Sequence, residues 1–246
     1  MKNYVTSVFF GVRNHLSFCE GIQRSLNELP GTGIFAGDNL FTFSRNLSFL
    51  DDDAFMDAFR KSARTDIEQA VIWRTYVLAW AARRGVNIDG DFVECGCYKG
   101  VSARILADYL DLQATGKAFY LYDLFEHSSD MDHGAMPEHG AGLYEQVVAR
   151  FVDLPNVHVT KGSVPEVLVE KSPEKIAFLH VDMNSATAEL GALETLFDRV
   201  SPGASIVLDD YGWAFYRDQK VREDAFFAAR GYQVLELPTG QGLVIK

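Results

Sequence analysis

The period of the apolar positions changes near residue 90. Before it, Ala70, Trp73, Val77, Trp80 and Ala81 recur three and four apart, which gives one apolar face of a helix. Thr65 and Glu68 have the spacing of a capping box, so the helix is expected over Asp66–Arg84, with Gly85 as its stop. Residues 1–90 therefore read as a mostly helical N-terminal cap. Within it, Pro30–Asp38 is rich in chain breakers and reads as a loop. Phe35, Phe41, Phe43 and Phe49 follow at interleaved positions. They either anchor the cap or line a substrate entrance. Arg74, inside the helix, either forms a salt bridge or reaches a ligand carboxylate.

From residue 91 the pattern alternates between short apolar runs and helical spacing. Strands are expected at Asp91–Cys95, Ala118–Asp123, Val157–Thr160, Ile176–Asp182 and from Ala204 to the acids Asp209 and Asp210. Helices are expected at Val101–Leu112, Leu143–Val152, Thr187–Arg199 and Arg217–Arg230, with a turn at Ser201–Gly203. The run ending in Asp182 is almost wholly apolar, the mark of a central parallel strand buried on both faces. Tyr232–Leu237 and Gln241–Lys246, joined by Pro238-Thr239-Gly240, read as an antiparallel hairpin. The expected fold is α/β: a doubly wound sheet over residues 91–246 with a C-terminal antiparallel hairpin.

Asp91-Phe92-Val93-Glu94-Cys95-Gly96-Cys97-Tyr98-Lys99-Gly100-Val101-Ser102 is the stretch on which chemistry turns. Phe92 and Val93 are strand formers, Gly96 permits a tight turn, and Gly100 lets the next helix lie close to the strand. The turn opens a helix N-terminus at the carboxyl edge of the sheet, where open α/β sheets bind ligands. The spacing Glu-x-Gly-x-x-x-Gly favours a ligand with a cationic end, held by Glu94, over a pyrophosphate. S-adenosylmethionine has such an end. Asp123 closes the second strand about 20 residues beyond Gly100, where a carboxylate accepts from ribose hydroxyls. Gly162-Ser163, at the third strand end, leaves room for a flat base. Tyr98, Ser102 and Leu124 complete the expected donor site with Glu94, Gly96, Gly100, Asp123, Ser163 and Asp182.

Asp182, Asp209 and Asp210 end two further strands. Three carboxylates gathered there repel one another unless a cation or protons neutralise them. An oxygen-only donor set suits a hard ion such as Mg²⁺. Such an ion lowers the pKa of a bound hydroxyl. Leu124–Gly142 is long, irregular and carries His127, His133 and His139; it reads as a lid over substrate. His133 and His139 are candidate bases beside Asp182. His180, on the strand leading to Asp182, reads as a buried, hydrogen-bonded histidine.

Composition narrows the partners. The 246 residues hold 23 basic and 34 acidic side chains, a formal net charge of −11. A nucleic-acid partner would need a basic footprint, so none is expected. No run of eighteen apolar residues occurs, and no membrane span is expected. Three cysteines without a Cys-x-x-Cys motif point to a reducing, cytoplasmic setting.

Phe92–Gly100, Asp123-Leu124-Phe125-Glu126, Val181-Asp182-Met183-Asn184, and Ser201-Pro202-Gly203 leading to Leu208-Asp209-Asp210-Tyr211-Gly212 resemble the macrocin O-methyltransferase family. The resemblance spans roughly residues 65–246. It implies a seven-stranded class I methyltransferase (Rossmann-like) sheet and S-adenosylmethionine as methyl donor. It implies a Mg²⁺-type ion on Asp182, Asp209 and Asp210, with Asp182 as candidate base. A sugar or other hydroxylated small molecule is the implied acceptor, and a homodimer the expected assembly. The family often shows Asp-Gly-Asp-x-Tyr where this chain has Asp182-Met183-Asn184-Ser185-Ala186. The first acid is kept; the second acid and the tyrosine are missing, which bears on the acceptor contacts. Two other classes are weighed: a nicotinamide-dependent oxidoreductase, and a binding protein that keeps the pocket without turnover.

Overall fold

The computed structural model describes residues 2–128, 131 and 134–246. The chain divides into two compact units, Met1–Tyr76 and Val77–Lys246. The boundary falls inside one helix, upstream of the change in apolar period.

The first unit contains β1 (Tyr4–Val5), α1 (His15–Asn27), β2 (Phe35–Gly37), β3 (Leu40–Thr42), α2 (Asp53–Ser62) and α3 (Asp66–Ala70), and the start of α4 (Ile72–Gly85). Its strands form a small sheet in the order β1-β2-β3. This corrects the loop expected over Pro30–Asp38. Phe35-Ala36-Gly37 is a fully buried strand paired with Leu40–Thr42. Asp38 and Asn39 both take positive φ, 50° and 55°, the backbone of a two-residue hairpin turn. The breakers thus bound a strand instead of spreading into a loop. Phe35 and Phe49 pack with Trp73 at centroid distances of 5.0 and 5.5 Å, whereas Phe41 and Phe43 are exposed. Arg74 is a salt-bridge residue: its Nε and Nη2 donate to the Asp38 carboxylate at 2.7 and 2.6 Å.

The capping box forms as expected, with Thr65 and Glu68 satisfying each other's backbone donors. The single helix expected over Asp66–Arg84 is instead two, α3 and α4, broken at Val71. The β-branched pair Val71-Ile72 is a weak helix former, and it falls where the five-residue α3 ends.

The second unit continues with β4 (Asp91–Cys95), α5 (Val101–Leu110), α6 (Leu112–Thr115), β5 (Phe119–Asp123), α7 (Leu143–Arg150), β6 (Val157–Lys161) and α8 (Glu166–Lys171). Then come β7 (Ile176–Val181), α9 (Ala186–Leu196), β8 (Val200–Leu208), α10 (Arg217–Ala228), β9 (Leu235–Glu236) and β10 (Gly242–Ile245). The seven strands order as β6-β5-β4-β7-β8-β10-β9. Only β10 runs antiparallel to its neighbours β8 and β9. The chain winds outward from β4 in both directions, so the switch point lies between β4 and β7. Ligands of such sheets bind at the carboxyl ends there. Two apolar layers cover the faces, one holding Phe92, Phe119 and Phe178, the other Val93, Leu179 and Leu208.

The turn expected at Ser201-Pro202-Gly203 lies inside β8. Ile176 pairs with Val200, but Phe178 already pairs with Ser205, so the extra residues bulge out of register. Pro202 has no N–H for the ladder and Gly203 takes φ +84°, the residue types a bulge accepts. Among the described residues, no helix is long and apolar enough to cross a membrane. Cys19, Cys95 and Cys97 are all free thiols.

Candidate active site

The β4–α5 turn places backbone against backbone. Gly96 takes φ +89°, and a Cβ there would stand 1.7 Å from the Asp182 carbonyl oxygen. Only glycine permits that approach. The Asp182 N–H in turn donates to Cys95 O at 2.9 Å, and Gly96 N–H donates to Tyr122 O at 2.8 Å. Gly100 takes φ +67°, and a Cβ would press on the Phe151 ring at 2.8 Å. The two glycines thus hold three strand ends and the start of α5 together.

Asp123 ties two loops to this turn. Its Oδ2 accepts the Tyr98 N–H at 2.7 Å and its Oδ1 the Phe125 N–H at 2.6 Å. Around Asp123 opens a cavity of about 320 Å³, within the size range of small-molecule sites. Gly96, Tyr98, Leu124, Gly162, Ser163 and Asp182 line it, as do Met131, Met136 and His139 of the irregular segment. Gly100, Ser102 and Glu94 are not among its lining residues. Ser102 is the second residue of α5, and Glu94 is buried within β4.

Glu94 has a partner in register. Glu94 and His180 face each other across β4 and β7, and His180 Nδ1 meets Glu94 Oε1 at 2.8 Å. The other ring nitrogen lies 3.6 Å from Asp209 Oδ1, too long for a hydrogen bond. Burial works to lower the His180 pKa, but Asp209 and Glu94 outweigh it and raise the value well above the ordinary one. Asp209 is further held by Gln241, whose Nε2 donates to Oδ1 at 2.8 Å and whose Oε1 accepts from Thr239 Oγ1.

Of the three expected cation ligands, two come together. One ligand atom each from His180, Asp182 and Asp209 lies within 4.8 Å of the others; Asp210 is not in this group of described residues. Asp182 belongs both to the group and to the cavity wall. His139 reaches the wall too, its Nδ1 accepting the Met136 N–H at 3.2 Å and its ring set edge-on to Tyr98. His133 lies outside the described residues.

Several lining residues were not singled out as ligand contacts in the sequence. Tyr122, Met183, Asn184 and Ser185 all face the cavity. Asn184 takes φ +56°, and Ser185 caps α9 by accepting from Ala188 N–H. Glu189 of α9 supports this loop, its Oε1 accepting the Met183 N–H at 3.0 Å.

Behind Glu189, Glu223 of α10 is 1% exposed. Burial, and then the charge of Glu189, push its carboxyl from 4.5 up to about 9. The folded chain therefore holds a proton there that the unfolded chain has lost. Stability is expected to fall as pH rises through that window. Glu223→Gln, which keeps the protonated shape at every pH, is expected to flatten the decline. Denaturant unfolding at about pH 6 and about pH 9 measures this; the same pH dependence in both proteins would place the titrating group elsewhere.

Comparison with known proteins agrees with this architecture. Residues 93–211, just under half of the chain, match a family model described as a methyltransferase domain. No curated protein sequence matches. Among solved structures, the O-methyltransferase NovP superposes with a TM-score of 0.62 at 17% identity, over 72% of this chain and 81% of that one. The calicheamicin methyltransferase CalS11 superposes at 0.58 and 12% identity, over 97% of this chain and 95% of that one. The O-methyltransferase TomG from Streptomyces achromogenes, solved with S-adenosylmethionine, superposes at 0.53 and 14% identity, over 78% and 89%. At these identities the likeness is one of fold. Strand order and switch-point cavity agree with these structures, so the chain has the fold of a class I methyltransferase sheet, and residues 93–211 within it are similar to a methyltransferase domain.

Proposed function

We propose that this chain is a methyltransferase that moves the methyl group of S-adenosylmethionine onto a hydroxyl of a small-molecule acceptor, a sugar or sugar-bearing compound first among them. The observation that carries this reading is the shared position of Asp182. It lines the same cavity as Gly96, Tyr98 and Asp123, and it meets Asp209 at the neighbouring strand end. A donor seated over Gly96–Gly100, with its ribose on Asp123 and its base toward Gly162-Ser163, presents its sulfonium on the Asp182 side. In the reaction the methyl carbon leaves sulfur and bonds to the acceptor oxygen. The sulfonium becomes a neutral thioether, and the hydroxyl proton passes to Asp182 or His139. Alignment of the two reactants supplies much of the acceleration in such a displacement.

The residues also fit a divalent ion. Asp182 and Asp209 would hold it, with Asp210 added by the family resemblance. Such an ion supplies Lewis acidity that lowers the pKa of an acceptor hydroxyl. Support for a sugar acceptor comes from the structures: CalS11 is described as a TDP-rhamnose 3′-O-methyltransferase. Asn184 and Ala186 stand where the macrocin pattern has its second acid and its tyrosine, so the acceptor is expected to differ from that family's. A homodimer in the cytoplasm is the proposed setting.

Two measurements test the reading. Labelled donor incubated with deoxysugar and nucleotide-sugar acceptors, with and without chelator, is expected to give labelled ether that chelation abolishes. Absence of product with every hydroxylated acceptor would favour a binding protein without turnover. Asp123→Ala is expected to weaken donor binding by about 1.5–3 kcal/mol, the range for hydrogen bonds to a charged group. Calorimetry showing unchanged affinity would remove Asp123 from the ribose site.

A further inference from the structure

If a divalent ion serves this site, as proposed above, the strand register bears on its ligands. Glu94 and His180 are direct neighbours across β4 and β7, and His180 is the direct neighbour of Val207 across β7 and β8. Asp209 stands two residues beyond Val207, so its side chain returns to the face of His180. The result is a line across three strands: Glu94 Oε1, the His180 ring, then Asp209, with Asp182 two residues beyond His180. The imidazole is 2% exposed, and its Nε2 makes no hydrogen bond. A buried ring nitrogen facing carboxylates without a hydrogen bond is costly.

We propose that His180 joins Asp182 and Asp209 as a cation ligand through Nε2, in place of Asp210, with Glu94 as the carboxylate that orients its ring. Ligating histidines commonly donate their second N–H to a carboxylate, which fixes the ring and raises its basicity. Glu94 at 2.8 Å from Nδ1 is placed for this. Ligand atoms around an ion at about 2.0–2.2 Å stand roughly 3–4 Å apart, so the observed limit of 4.8 Å asks for a small closure of side chains. The arriving ion takes the place of a proton on Nε2, which leaves to solvent. Imidazole beside carboxylates favours first-row transition ions such as Mn²⁺, Co²⁺ or Zn²⁺ over Mg²⁺. Glu94 then acts through His180 and not on the methionine end of the donor.

The test uses the full chain, freed of metal and titrated with Mn²⁺ or Mg²⁺ alone. Calorimetry is expected to show one Mn²⁺ per chain, bound at least tenfold more tightly than Mg²⁺. Pulsed electron paramagnetic resonance of the Mn²⁺ form is expected to show coupling to one imidazole nitrogen. Labelling the histidines with ¹⁵N should shift that coupling, and this arm needs no variant to fold. His180→Gln is expected to lose the coupling and at least tenfold in Mn²⁺ affinity, and Glu94→Gln to lose about tenfold or more. Asp210→Asn is expected to keep both. Tight Mn²⁺ binding without nitrogen coupling, lost in Asp210→Asn, would overturn the assignment while leaving a three-carboxylate cation site intact. No binding of either ion would overturn the assignment and the cation reading together.

Discussion

Asp182→Asn is expected to reduce methyl transfer by about 10²–10⁴-fold, the usual contribution of a positioned acid or base, while donor affinity changes little. The substitution keeps the shape of the side chain. It also leaves the Asp182 N–H bond to Cys95 O, which holds the strand end in place. What it removes is the negative charge that Asp182 brings both to the cavity wall and to the group with Asp209. That charge is assigned two tasks, accepting the hydroxyl proton and holding the cation, and both fail in the amide. Donor contacts are assigned to the glycine turn and Asp123, so they survive. Single-turnover rates with labelled donor, set beside calorimetric affinity, separate the two effects. A wild-type rate in Asp182→Asn would leave His139 as base and remove both cation and carboxylate from the chemistry.

Gly96→Ala is expected to damage the fold itself. The new methyl would lie 1.7 Å from the Asp182 carbonyl oxygen, a backbone atom that cannot swing away. The left-handed φ of +89° adds about 1–2 kcal/mol for any residue with a Cβ. Moving β4 from β7 would disturb central strands, so the total is expected at roughly 4 kcal/mol or more, in the range reserved for severe core disruption. Denaturant midpoints measure the loss. A midpoint within error of the wild type would mean that the β4 turn is not packed against the β7 end as described.

Much of the second unit was legible because its signals are local. Apolar runs that end in acid mark β5 and β7 nearly to the residue, the strand formers before Gly96 mark β4, and Pro238-Thr239-Gly240 marks the final hairpin. The tight turn at Gly96 and the close approach of helix to strand at Gly100 are legible from residue type, and their positive φ values come from the structure. What escaped was information carried by pairing. Ser201-Pro202-Gly203 has the composition of a turn, and only its partner strand turns it into a bulge. Phe35–Gly37 sits among breakers and is a strand because it is buried and paired. Gln241 carries no local signal, yet the hairpin register sets Gly242 opposite Leu208 and so delivers the Gln241 amide to Asp209. The same holds for Glu94, whose pairing with His180 depends on a register that neither strand reveals by itself. The short α8 went unnoticed because six residues give too little periodicity to detect.

The switch-point cavity is proposed as a site for S-adenosylmethionine and not for a nicotinamide dinucleotide. Titration of the purified chain with S-adenosylhomocysteine and with NAD⁺, side by side in one calorimeter, tests it most directly. Saturable binding of one S-adenosylhomocysteine per chain, with no heat from NAD⁺, is the result predicted. Binding of NAD⁺, or no binding of S-adenosylhomocysteine, would contradict it.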